Sequence, residues 1–235
     1  MSILDKLNVA KFSVQASLAR RGPWQTVRMT AFKFWYEWRL GARTGQVMRT
    51  ADMDFADPEV QKSAREHWPA AHGLVHDVLK QVDCKGRGFV DYGSGSGRAL
   101  LVAATFPFSR IIGVEASPSL AALSKASLEQ YYARRAGPRA PQWEIVADDA
   151  RAFDPPDDIS IFYFFDPFGD VIFAPVLERI EASLRRAPRE GVFLFLPYHD
   201  DTRAAYRARL AAHGWVERPS PSKEFQIHVL APGGR

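Results

Sequence analysis

The chain predicts an α/β fold, a mostly parallel sheet with helices on both faces, preceded by an N-terminal helical extension. Three observations carry that prediction. From residue 88 onward, apolar runs of strand length alternate with segments of helical periodicity. Residues 88–98, Gly-Phe-Val-Asp-Tyr-Gly-Ser-Gly-Ser-Gly-Arg, lead an apolar strand into a glycine-rich turn. Seventeen residues after Arg98, Glu115 closes a second apolar run, Ile111-Ile112-Gly113-Val114. Strand, glycine turn, helix and a second strand capped by an acid make a nucleotide-holding unit.

The elements follow in order. Helices are expected at 26–41 and 57–82, then a strand at 88–92 and a helix over 97–106 that is apolar nearly all round, hence buried. A strand at 110–115 precedes a helix opened by Ser117-Pro118, an N-cap followed by proline at the first helical position, and running to Arg135. Gly137-Pro138 and Pro141 break the chain before a strand at 142–147. Ile159–Phe165 is a continuous apolar run of the kind found inside parallel sheets. A helix with Val176, Leu177, Ile180 and Leu184 on one face follows, then a strand at 192–196. A helix over 202–213 stops at Gly214, and strands at 215–218 and 224–230 end the series. The result is a Rossmann-like sheet of seven strands over 83–235, with residues 1–82 as a helical extension. In such a sheet the ligand lies at the carboxyl ends of the strands.

Composition fits one globular unit: 235 residues, 46% hydrophobic and 25% charged, enough to bury a core. Cys84 is the single cysteine, so no disulfide framework is possible and a reducing cytoplasm is the expected compartment. No apolar run reaches the length of a membrane span, and the N-terminus lacks the apolar core of a signal peptide. The first 50 residues carry nine Lys and Arg against Asp5 and Glu37, a net of +7, so the formal total of +4 leaves −3 for the rest. That arm is also rich in aromatics, including Phe12, Trp24, Phe32, Phe34, Trp35, Tyr36 and Trp38. Basic aromatic segments can bind nucleic acid, acidic proteins or anionic membranes. Phe32, Trp35 and Tyr36 sit at helical spacing, which favours one buried stripe packed on the sheet domain.

The glycine turn discriminates between ligands. The dinucleotide fingerprint needs a glycine three residues after the second; Arg98 stands there instead. Gly93, Gly95 and Gly97 fall as Gly-x-Gly-x-Gly around Ser94, and Asp91 precedes them, an acid that can pair with the ammonium of an amino acid. The pattern resembles motif I of the class I S-adenosylmethionine-dependent methyltransferases. The resemblance implies that the glycines cradle S-adenosylmethionine, that Asp91 holds its amino-acid end and that Glu115 holds its ribose. Asp148 and Asp149 both end the third strand; Asp149, followed by Ala150, is the expected adenine contact.

After the fourth strand, Phe165-Asp166-Pro167-Phe168-Gly169 resembles the Asn/Asp-Pro-Pro-aromatic motif of amino-group methyltransferases. Asp166 would orient the reacting nitrogen and accept its hydrogens, and Phe168 would border the developing positive charge. Over roughly 35–200 the chain is similar to a group of bacterial class I methyltransferases, itself similar around the glycine turn to the histone-lysine methyltransferases that lack a SET domain. That group commonly has Asn where this chain has Asp166. Arg39-Leu40-Gly41-Ala42-Arg43-Thr44-Gly45 also resembles it, and implies that Thr44 belongs to a loop closing over the methionine end of the cofactor. The expected activity is methyl transfer to an amine nitrogen of a protein lysine or a small molecule, with the N-terminal helices as a lid; RNA or DNA is the alternative acceptor.

Other chemistries have less support. His72 and His76 stand four apart without a third protein ligand, so no metal is expected. No Tyr-x-x-x-Lys pair supports hydride transfer, and no nucleophile motif supports hydrolysis. A non-catalytic cofactor-binding module is the reading from another class. Tyr198-His199, after the fifth strand, is a candidate wall of the acceptor site.

Overall fold

The computed structural model describes residues 3–40, 44, 48–64, 69–135 and 140–233. Gly41–Arg43, Gly45, His67 and the Gly137-Pro138 break lie outside the described residues. Seven strands form one sheet in the order β3-β2-β1-β4-β5-β7-β6. β1 (Gly88–Tyr92), β2 (Arg110–Val114), β3 (Gln142–Val146), β4 (Ile159–Phe164) and β5 (Gly191–Phe195) are parallel. β7 (Gln226–Leu230) runs antiparallel between β5 and β6 (Val216–Arg218).

Every residue of β1, β4 and β5 is buried, so alternate side chains feed two cores. On one face, Phe89, Ile111, Ile161 and Leu194 pack with α3 (His72–Leu79), α4 (Arg98–Ala103) and α5 (Pro118–Ala133). On the other, Val90, Ile112, Phe162 and Phe193 pack with α6 (Asp170–Arg186) and α7 (Asp200–Ala212). The chain therefore leaves β1 for β2 over one face and reaches β4 on the opposite side. That reversal between β1 and β4 opens a crevice at their carboxyl ends.

The N-terminal region departs from expectation in three places. α1 (Ile3–Leu40) begins well before residue 26 and is broken at Gly22 (φ 76°, ψ 171°), where Pro23 starts a second segment. The helix expected over 57–82 is two helices, α2 (Pro58–Ser63) and α3. Ala64 is extended and bridges to Phe168, and Pro69 cannot donate within a helix. Finally, Tyr36 is buried and stacked 5.3 Å from His72, but Trp35 is exposed. Met29, Tyr36 and Leu40 are the buried edge of this helix, so the stripe facing the core is narrower than the aromatics suggested.

Candidate functional site

The three turn glycines all have positive φ, at 75°, 54° and 83° for Gly93, Gly95 and Gly97, a region open to glycine at little cost. Space is the second reason for glycine. A Cβ on Gly93 would lie 2.5 Å from Pro167 Cβ, and one on Gly97 would lie 2.6 Å from Ser124 Oγ. The amides of Gly93 and Ser94 donate to Val114 O at 2.9 and 3.0 Å, tying the turn to the end of β2. Ser94 Oγ is buried without a hydrogen-bond partner, on the wall of the crevice.

Glu115 braces this turn from the other side. Its Oε2 accepts from Gly95 N at 2.8 Å and its Oε1 from Ser117 N at 2.9 Å. Burial pushes its carboxyl pKa up, and those amides oppose the shift. Asp91 is fully buried beneath the turn, and its carboxyl is pushed well above the usual range by burial and then by Glu115. No hydrogen bond or ion pair joins the Asp91 side chain to the described residues. The Tyr163 hydroxyl, buried nearby, also lacks a partner.

At the end of β3, Asp148 is exposed and accepts from Asp149 N at 2.7 Å. The Asp149 carboxylate accepts from Arg151 N and Arg151 Nε, both at 2.8 Å. Arg151 also binds Asp57 at 2.6 Å and Glu59, joining this corner to the start of α2. Both acids and the buried Ala150 line the crevice.

The segment ahead of α3 forms the roof, and Arg98 fastens it. The buried Arg98 donates to Thr44 Oγ1 at 3.0 Å, Thr44 O at 2.8 Å and Ala70 O at 3.1 Å. Ser96 Oγ adds a bond to Thr44 O at 3.3 Å. Thr44 is thus held against the glycine turn, although its side chain does not line the cavity. Burial lowers the Arg98 pKa to about 10, which leaves it charged at neutral pH. Met53, Phe55 and Val60 complete the apolar roof, and Asp54 is bound by Ser117 and Ser119 at the start of α5.

Asp166 is the single non-glycine residue with positive φ (42°) among the described residues, a conformation to which Asp is better suited than most. The twist turns its carboxylate toward the end of β5. Oδ2 accepts from Tyr198 N at 3.0 Å and His199 N at 2.8 Å, and meets His199 Nδ1 at 2.8 Å. Oδ1 is buried without a hydrogen-bond partner. A carboxylate can only accept, so Nδ1 carries the hydrogen of this bond, and a ring with no second hydrogen would leave Nε2 as an acceptor. Phe168 is buried, its carbonyl accepting from Tyr206 Oη at 2.8 Å, and its ring lies on the crevice wall.

Asp91, Gly93, Ser94, Glu115, Asp148, Asp149, Ala150, Asp166 and Phe168 border one cavity of about 470 Å³, within the usual range for a small-molecule site, whereas Gly95, Gly97 and Thr44 lie behind its lining. No protein-family model matches the chain. No curated protein matches it in sequence. Solved structures do match it in fold. An S-adenosylmethionine-dependent O-methyltransferase from Thermotoga maritima superposes with a TM-score of 0.52 at 15% identity, covering 82% of this chain and 79% of that one. A ribosomal protein L11 methylase from Lactobacillus delbrueckii subsp. bulgaricus superposes with a TM-score of 0.53 at 10% identity, covering 68% of this chain and 76% of that one. The fold is that of the class I methyltransferases.

On this methyltransferase fold, the crevice chemistry separates the candidate ligands. Asp91 is a buried carboxyl with no cation beside it among the described residues, and a ligand ammonium would supply one. A pyrophosphate would set its negative charge against Asp91 and Glu115. The residues present therefore fit S-adenosylmethionine and disfavour a dinucleotide. No cluster of metal-ligating side chains occurs among the described residues.

The structure brings Gly93, Asp91, Glu115, Asp166 and Phe168, all singled out in the sequence, to one crevice, and adds two ties that the sequence did not suggest. Arg98 counted only against a dinucleotide, because its partners lie 28 to 54 positions earlier. The pairing of Asp166 with His199 joins residues 33 apart. A signal existed: both follow neighbouring parallel strands, with Phe164 opposite Phe195.

Proposed function

We propose that this chain is an S-adenosylmethionine-dependent methyltransferase acting on an amine nitrogen, of a protein lysine or of a small molecule. One observation supports it above the others: a cation-seeking Asp91 and a half-satisfied Asp166 carboxylate face the same cavity. When bound, S-adenosylmethionine supplies an electrophilic methyl on a sulfonium sulfur. Asp91 holds the ammonium of its amino-acid end against the turn, and Glu115 offers its remaining lone pairs to the ribose hydroxyls. The Ala150 backbone and Asp149 border the adenine, with Asp148 beside them. Thr44, held by Arg98, keeps the methionine end covered, so that residues 1–82 act as the lid over the 83–235 catalytic sheet.

At the acceptor end, Asp166 Oδ1 accepts an N–H of the nucleophile and aligns its lone pair. His199 Nε2 takes the proton from an acceptor that arrives as an ammonium, while Asp166 Oδ2 orients the ring. Phe168 walls the path and faces the charge that gathers on nitrogen. Calorimetric titration with S-adenosylmethionine, S-adenosylhomocysteine and NAD tests the cofactor. Binding of the first two without NAD is expected, lost in Glu115→Ala and kept in Asp166→Ala, whose methylation of amine acceptors is lost. Binding of NAD alone, or equal loss of binding in both variants, would refute the proposal.

A further inference from the structure

The second segment of α1, residues 23–40, has two apolar edges. The inner one, Met29, Tyr36 and Leu40, is in the core. The outer one carries Trp24, Val27, Phe34 and Trp38, which are 78%, 62%, 65% and 82% exposed. With the exposed Ala31 these positions are spaced three, four, three and four apart, so they form one stripe about 21 Å long on the side away from the core. Trp35, half-exposed, widens it. Single exposed apolar residues need no explanation, but a contiguous row of this size marks a contact surface.

Charge and side-chain type select the occupant. The first 50 residues carry a net of +7, while the rest of the chain is acidic overall. A second copy would bring two such arms together, and seams between helices are built from Leu, Ile and Val rather than Trp. Trp combines an apolar body with one N–H donor, which suits the boundary between lipid and water. No helix among the described residues is long and apolar enough to cross a membrane, so the segment would lie on the surface. Arg28 pairs with Asp77 of α3 at 2.8 Å, and fixes the helix to the body it would carry. We propose that the outer face of α1 docks the protein on an anionic lipid surface, its aromatic stripe seated among the headgroups and the net positive charge of the first 50 residues drawing it to the lipid.

The test is co-sedimentation of the full chain with vesicles of phosphatidylcholine alone or mixed with phosphatidylglycerol, with tryptophan emission read in parallel. The expected result is at least tenfold greater binding to the anionic vesicles and a blue-shifted emission, both weakened by high salt. Trp24→Ser/Phe34→Ser/Trp38→Ser should bind no better than to neutral vesicles while melting as the parent does. Trp38→Ser alone, the most exposed position, should show a smaller loss should the triple variant not fold. Equal binding to both vesicle types, or to neither, overturns the proposal. A dimer in sedimentation equilibrium that the variants abolish would assign the stripe to a second copy, and an RNA complex that they abolish would assign it to nucleic acid.

Discussion

Replacing Arg98 by Ala should loosen the roof of the crevice and lower the stability of the whole protein. The guanidinium satisfies Thr44 O at 2.8 Å, Ala70 O at 3.1 Å and Thr44 Oγ1 at 3.0 Å in a buried setting. Each acceptor left without its donor costs about 1–3 kcal/mol, and because Thr44 O keeps Ser96 Oγ and water enters in part, the sum is about 3–5 kcal/mol. That is a large share of a typical total of about 5–15 kcal/mol. At about 2–4 °C per kcal/mol for a chain of this size, melting should fall by about 6–20 °C. Circular dichroism on the ligand-free protein measures this, and limited proteolysis should show faster cleavage between residues 44 and 70. Arg98→Lys keeps the charge but loses the fork, so it should fall between parent and Ala. Arg110→Ala, which removes an exposed pair with Asp158, is the control and should cost under about 1 kcal/mol. An Arg98→Ala protein melting within about 2 °C of the parent would refute the reasoning.

Gly93→Ala should reduce S-adenosylhomocysteine affinity at least tenfold in calorimetry, because its Cβ would meet Pro167 at 2.5 Å and a left-handed φ of 75° costs about 1–2 kcal/mol in any L residue. Asp91→Asn should melt higher than the parent at pH 7 without ligand and yet bind the cofactor more weakly. The sign follows from linkage: the folded carboxyl is raised above its usual 3.8, so its ionisation costs stability as pH rises through the folded value. The advantage of the Asn variant should therefore shrink as pH falls toward 4, and a constant advantage in melts across pH would contradict it. His199→Ala should leave cofactor affinity within about twofold and slow methylation by about 10²–10⁴-fold, with unchanged turnover as the refuting outcome.

The sheet was legible because its signals are local. The apolar run Ile159–Phe164 and the all-buried β1 need no distant partner to declare themselves. The glycine turn was legible for the same reason: Gly93, Gly95 and Gly97 occupy conformations that few other residues tolerate. The roof was not. The break at Ala64 depends on a bridge to Phe168, about a hundred residues away, and a periodic pattern carries no information about it. The N-terminal half of α1 also escaped, although Ile3, Leu7, Ala10, Val14 and Leu18 recur there at helical spacing. The resemblance assigned Glu115 to the ribose, but not the two amides that the same carboxylate receives.

On the proposed reading, the Asp166 carboxylate divides its work between architecture and ligand. One oxygen holds the ends of β4 and β5 together through two backbone amides and His199. The other is buried and has no hydrogen-bond partner among the described residues, in a side chain whose residue lines the cavity. Asparagine tolerates the same backbone twist and keeps an oxygen for the scaffold. It would present an amide N–H₂ where the acid presents an oxygen, reversing the direction of the one hydrogen bond left for an incoming molecule. Members of such a lineage could therefore exchange substrates that donate there for substrates that accept there through a single near-isosteric substitution, without reworking the fold.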